Sequence, residues 1–232
     1  MAAGTTLIIG GTRGLGRHLA ERCAQRGDAV VVSGRNAGTA ESVAVEIGNS
    51  TSAVAVDLTA PADIGDALRP IERVDRVVLA AIERDSNTVR DYSVDSALRL
   101  ATLKLVGYTE VLHCLHGRMH QNSSVLLFGG LAKDRPYPGS TTVTTVNGAV
   151  TTMVRTFVVE LAPVRVNAIH PGIVGDSPAW AGNAEMLKRV KESTPTGRVV
   201  TMDEVTDAAL FLLDNRSVNG VNLAVDGGWV ML

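Results

Sequence analysis

Aromatic residues are scarce in this 232-residue chain: two Trp, three Tyr and three Phe make up 3% of it. A base-stacking platform for single-stranded nucleic acid needs more of them. An excess of positive charge is also missing. With 22 Lys and Arg against 24 Asp and Glu, the formal charge is −2, which argues against binding driven by a basic field. No nucleic-acid partner is expected. Two cysteines, Cys23 and Cys114, cannot build a disulfide framework and point to a reducing compartment. No apolar run approaches the ~18 residues of a membrane span, and Met1-Ala2-Ala3-Gly4 supplies no basic stretch ahead of an apolar one. These absences lead us to expect a cytoplasmic protein with no membrane partner.

What is present is aliphatic and punctuated by glycine: 45% hydrophobic residues and 23 Gly. Short apolar runs alternate with helical patterns from end to end. Strands are predicted at Leu7–Ile9, Ala29–Val32, Ala53–Val56, Val74–Ala81, Ser124–Phe128, Val164–Ile169 and Val221–Val225. Between them, helices are predicted over 15–26, 40–47, 62–70, 95–117, 142–162, 183–193 and 203–214. Runs apolar at every position suit strands buried on both faces. Alternating strands and helices require parallel pairing through right-handed crossovers. The expected fold is α/β: one Rossmann-type domain over 1–232, a doubly wound parallel sheet of about seven strands with helices on both faces. Such sheets bind ligands beyond the carboxyl ends of their strands.

The first strand–helix junction reads Ile9-Gly10-Gly11-Thr12-Arg13-Gly14-Leu15-Gly16. Gly10 permits a tight turn out of the strand, Gly14 lets backbone approach a pyrophosphate, and Gly16 lets the helix pack close. The exposed N–H groups and dipole at the helix start attract phosphate. With this loop in place, the chain resembles the short-chain dehydrogenase/reductase family along nearly its whole length. Asp57-Leu58 is similar to that family's acidic segment after the third strand, which contacts adenine; Asp57 has a rival role as a helix cap. Pro171-Gly172-Ile173-Val174 is similar to the segment flanking the nicotinamide, and Asp226-Gly227-Gly228 to the closing segment. The fourth strand of the family ends in Asn-Asn-Ala-Gly; here it reads Leu79-Ala80-Ala81-Ile82, and Ala80 and Ala81 are expected beside the cofactor.

A carboxylate at the end of the second strand would select NAD by holding a ribose hydroxyl. This chain has Ser33-Gly34-Arg35-Asn36 there. Arg35, joined by Arg13, suits a 2′-phosphate through forked charged hydrogen bonds. The resemblance therefore implies NADP(H).

The family's proton-transfer residues are replaced. By the resemblance, its Ser position is Gly130, its Tyr position Val143, its Lys position Asn147 and its helical Asn position Lys104. Four residues after Tyr92, Tyr108 and Tyr137 stand Ser96, Leu112 and Thr141, so no Tyr-x-x-x-Lys exists anywhere in the chain. Asn147 keeps hydrogen bonding at the cofactor but carries no charge. Tyr137, Lys104 and Asp176 are candidate replacements. Against them, Tyr137 reads as a rim aromatic between two prolines, Lys104 as a charge at a solvated or interfacial turn, and Asp176 as a cap for the next helix. His113, His116 and His120 lack partner carboxylates, so no metal site is expected. Ser140, Thr141 and Thr142 have no evident base.

The leading expectation is an atypical NADP(H)-dependent oxidoreductase acting on a small organic substrate by hydride transfer, without the usual Tyr/Lys pair. The alternatives are a non-catalytic cofactor-binding module of the same fold and, third, cofactor-independent lyase or isomerase chemistry. By resemblance, the two long helices imply a homodimer or homotetramer.

Overall fold

In the computed structural model, which describes residues 4–231, β1 (Thr5–Ile9) lies inside a parallel sheet, paired on both sides. The chain leaves it through α1 (Gly14–Gln25) to β2 (Ala29–Gly34), then through α2 (Ala37–Ile47) to β3 (Thr51–Ala55). It returns through the short α3 (Ile64–Ala67) to β4 (Arg76–Leu79) on the other side of β1. From there α4 (Val94–Ala101) and α5 (Tyr108–Leu115) lead to β5 (Ser124–Phe128), and α6 (Thr141–Glu160) leads to β6 (Arg165–Pro171). α7 (Ala184–Glu192) and α8 (Met202–Asp214) precede β7 (Asn222–Val225). The seven strands lie in the order β3-β2-β1-β4-β5-β6-β7. Chain direction across the sheet reverses between β1 and β4, which opens a crevice at their carboxyl ends.

Alternate residues of each strand feed two cores. Leu7, Leu79, Val125 and Leu127 pack with Val111, Leu115, Val150 and Val154 of α5 and α6. Ile8, Val32, Val78 and Leu126 pack with Leu19, Cys23, Val43 and Val205 of α1, α2 and α8. The expected seven strands and two helical layers are therefore present. Three elements differ from their expected form; the helix expected over 62–70 is a 3-10 turn (Pro61–Asp63) followed by the short α3. The fourth strand is shorter than predicted, Arg76–Leu79, because Ala80 and Ala81 turn away under the glycine loop. The long helix predicted over 95–117 is broken by a π turn at Thr102–Gly107, a local widening that hydrophobic periodicity does not reveal.

At the amino ends of the strands, Arg165 closes α8. Buried at 9% exposure, its guanidinium donates to the carbonyls of Leu212 at 2.9 Å, Leu213 at 2.5 Å and Val218 at 3.0 Å. The first two belong to the helix end, where carbonyls have no partner within the helix. Asp214 next to them pairs with Arg76 at 3.0 Å and Arg26 at 2.5 Å. Arg165→Met removes three charged hydrogen bonds and strips the Leu212 carbonyl of its side-chain donor, while Ser124 and Asn167 still donate to Leu213 and Val218; it should lower unfolding stability by about 2 kcal/mol. Urea denaturation checks this; a change under about 0.5 kcal/mol, ordinary for a surface site, contradicts it.

Candidate active site

The glycine loop closes the crevice by close approach of backbone to backbone. Gly10 has φ +85°, and a Cβ there would lie 2.6 Å from the Ala81 backbone. A Cβ on Gly16 would lie 2.2 Å from the Gly10 carbonyl oxygen. A Cβ on Gly14 would meet nothing within 4 Å, so space stands open before the first turn of α1. That turn has no side-chain cap at Arg13 and no acidic residue, which leaves its N–H donors and positive dipole end free for an anion. Thr12 packs beside Gly34, and Leu15 packs on the core beneath α1.

At the end of β2, Ser33 is fully buried and its hydroxyl has no partner among the described residues. Arg35 is exposed, with its guanidinium 3.9 Å from Glu83. Asn36 is turned to another use: its side chain accepts from Thr39 N–H at 2.9 Å and caps α2. Asp57 caps no helix. Its carboxylate accepts from the Thr59 N–H at 2.9 Å and the Thr59 hydroxyl at 2.7 Å. Burial would raise this carboxyl, but the Thr59 bonds and the charges of Arg99 and Arg35 outweigh it and hold it below its ordinary value. Leu58 belongs to the core. The sequence reading missed Glu83 and Arg99, which pair at 2.8 Å; Arg99 also reaches the Thr59 hydroxyl at 3.3 Å. The one signal for Glu83 is its place four residues beyond the end of β4.

On the far side, Pro171 ends β6, Gly172 packs against Asp226, Ile173 is half-buried and Val174 is buried. Asp176 is a cap, though not of the next helix: its carboxylate accepts from Met202 N–H at 2.8 Å and closes the start of α8. Asn183 caps α7.

The positions of the expected proton-transfer residues come together without their chemistry. A Cβ on Gly130 would sit 2.8 Å from Asn147 Nδ2, so the two replaced positions touch. Asn147 is 4% exposed, and its amide makes no hydrogen bond among the described residues. Val143 packs with Leu100, Ala132 and Val146 in a small apolar cluster. Ser140 and Thr144 hydroxyls bond each other and nearby carbonyls. Thr142 accepts from the Asn87 amide at 3.1 Å.

The other candidates sit elsewhere. Tyr137 is an exposed rim residue beside a cavity of about 500 Å³ lined by Val89, Arg90 and Pro138; neither Gly130 nor Asn147 lines it. Lys104 overturns the expectation of a solvated turn: it is 1% exposed, because Phe128 and Tyr108 supply acceptors inside the sheet–helix layer. His113 and His116 are exposed and stacked at 5.9 Å, and His120 pairs with Asp75 at 2.7 Å. No metal-competent cluster occurs among the described residues.

A doubly wound parallel sheet whose first turn is glycine-rich and uncapped is the arrangement that dinucleotide-binding proteins use. A family model described as enoyl-(acyl carrier protein) reductase matches residues 10–230. The 3-oxoacyl-[acyl-carrier-protein] reductase of Bos taurus is 30% identical over 229 residues, covering 95% of each chain. The 3-oxoacyl-[acyl-carrier-protein] reductase FabG of Aquifex aeolicus is 28% identical over 96% of each chain. Among solved structures, a 3-ketoacyl-(acyl-carrier-protein) reductase from Brucella melitensis complexed with NADH is 28% identical, with a TM-score of 0.86 over 98% of each chain. The chain belongs to the short-chain dehydrogenase/reductase family.

One packing constraint shapes this site. A Cβ on Gly129 would lie 2.3 Å from His170 Nδ1, and His170 is fixed from behind by Asn222 at 2.9 Å. Gly129→Ala should cost about 1–3 kcal/mol by overpacking. In a His170→Ala background the same change should cost less than about 0.5 kcal/mol, as thermal unfolding of the two single variants and the double will show; an undiminished cost contradicts the contact.

Proposed function

We propose that this protein is an NADP(H)-dependent oxidoreductase that reduces a small organic substrate whose double bond is already polarised. The observation that carries the reading is the Gly130–Asn147 contact: an intact nucleotide crevice ends at an unpartnered amide where an ionisable pair would be. The empty space at Gly14 and the orphaned Ser33 hydroxyl fit a bound dinucleotide. Arg13 and Arg35 would hold a 2′-phosphate, with Glu83 kept off it by Arg99. Asn147 would donate its amide N–H to a ribose hydroxyl or a substrate oxygen. When bound, the cofactor supplies hydride.

No side chain at Val143 can pass a proton, so protonation falls to water. That favours an acceptor needing no strong acid. The description of the matching family model, an enoyl reductase, supports a conjugated carbon–carbon double bond, and the 3-oxoacyl reductases support an acyl chain carrying it. No helix among the described residues is long and apolar enough to cross a membrane; we place the protein in the cytoplasm. Exposed Val94, Leu98, Val106 and Val159 on the long helices support a homodimer or homotetramer.

Arg35→Ala should weaken NADPH by about tenfold or more, the loss of a charged hydrogen bond, and leave NADH nearly unchanged. Calorimetric titration of both nucleotides reads this. Equal losses would overturn the 2′-phosphate assignment. Sedimentation should give a multiple of 24.4 kDa; a monomer contradicts the oligomer.

A further inference from the structure

Lys104 stands on the π turn between α4 and α5, and its ammonium is sealed inside the molecule. Nζ donates to the Phe128 carbonyl and to the Tyr108 hydroxyl oxygen, both at 2.7 Å. Tyr108 donates onward to the Ala81 carbonyl at 2.8 Å. Nζ also lies 4.6 Å from the centre of the Tyr108 ring. All of these partners are neutral, and no ion pair among the described residues includes Lys104. An isolated buried charge is costly to keep, and cation–π contact recovers only part of that cost.

The place it occupies is specific. Phe128 ends β5 and Ala81 follows β4, so one amine and one phenol brace the carboxyl ends of the two strands beside the crevice. Two residues beyond Phe128 is Gly130, which touches Asn147. The lysine that α6 lacks at Asn147 thus has a counterpart one layer deeper, on another helix. We propose that Lys104 is a positioning residue that supplies this site's positive charge from beneath, and that it makes the crevice prefer the neutral reduced nicotinamide over the cationic oxidised one. This rests on the cofactor reading above.

Burial alone pushes Lys104 down to about 7, so its charge is lost within an accessible range. The surrounding elements offer few competing charges. Asp63 on the turn before α3, Asp95 and Arg99 on α4, and His113 on α5 are exposed, and Glu110 is partly exposed. Tyr108 is raised well above its ordinary value by burial and stays neutral, while burial lowers His170 on β6 and favours its neutral form. Beyond β5, Lys133 is tied to Asp134 at 2.5 Å. The linkage has one sign. Below about pH 7 the ammonium repels the oxidised ring; as pH rises through that value the repulsion disappears, and binding of the oxidised form tightens.

The test is the ratio of NADP+ to NADPH dissociation constants from pH 6 to 9, in the intact protein and in Lys104→Met. Titration of the 2′-phosphate is common to both forms and cancels in the ratio. The intact protein should lose about tenfold of its preference for NADPH as pH rises, the size of one unit of pKa coupling. It should also release a proton on binding NADP+ near pH 7 beyond any released with NADPH. In Lys104→Met the ratio should be flat and equal to the intact protein's value at high pH. A flat ratio in the intact protein, or an unchanged pH dependence in the variant, overturns the proposal. If the variant does not fold, the intact protein's titration and proton release decide it alone. Failure of either nucleotide to bind would overturn the cofactor reading as well; binding with a flat ratio overturns only this inference.

Discussion

The site depends on how closely α1 can approach the end of β1. With Gly16 only a Cβ away from the Gly10 carbonyl, and Gly10 pressed on Ala81, the helix begins directly over the carboxyl ends of β1 and β4. No side chain fits between them. This contact aims the uncapped N–H groups of α1 into the crevice. Beyond β4 the chain brings Glu83 beside Arg35 and Arg99. The nucleotide end of the site therefore follows from one sterically dictated turn.

The opposite end is governed by a different economy. With Gly at 130, Asn147 lies against the backbone; with Val at 143, the first turn of α6 packs as apolar core. Gly129 leaves room for the ring of His170. Each small residue admits a neighbour that a larger one would exclude: a Cβ at 130 would meet Asn147, and one at 129 would meet His170. The result is a contact with hydrogen-bonding capacity at Asn147 and no ionisable group at 130, 143 or 147. The charge that remains is Lys104, held by carbonyl and phenol oxygens.

Local features were readable in the sequence. The glycine loop combines a strand, a tight turn and a helix start within one segment, and the alternating apolar runs dictated the sheet. The absent Tyr-x-x-x-Lys pair could be established by inspection, because three tyrosines are few enough to check. Features that depend on contacts distant in sequence were hidden. Lys104 looks like a surface charge until β4 and β5 bring carbonyls to it. Asp176 was read toward its nearest following helix, whereas the fold delivers it to Met202. Asn36 sits where a nucleotide contact was expected but is spent on capping α2. The π turn leaves the hydrophobic period almost unchanged, so no pattern announces it.

The central claim is that hydride chemistry survives here without a side-chain acid on α6. Single-turnover reduction with NADPH deuterated at nicotinamide C4 tests it most directly, comparing a conjugated enone or enoyl thioester with a simple ketone of equal size. The account predicts deuterium in the enone or enoyl product and slow or no reduction of the ketone. Fast ketone reduction, or no transfer to any acceptor despite bound NADPH, would contradict it.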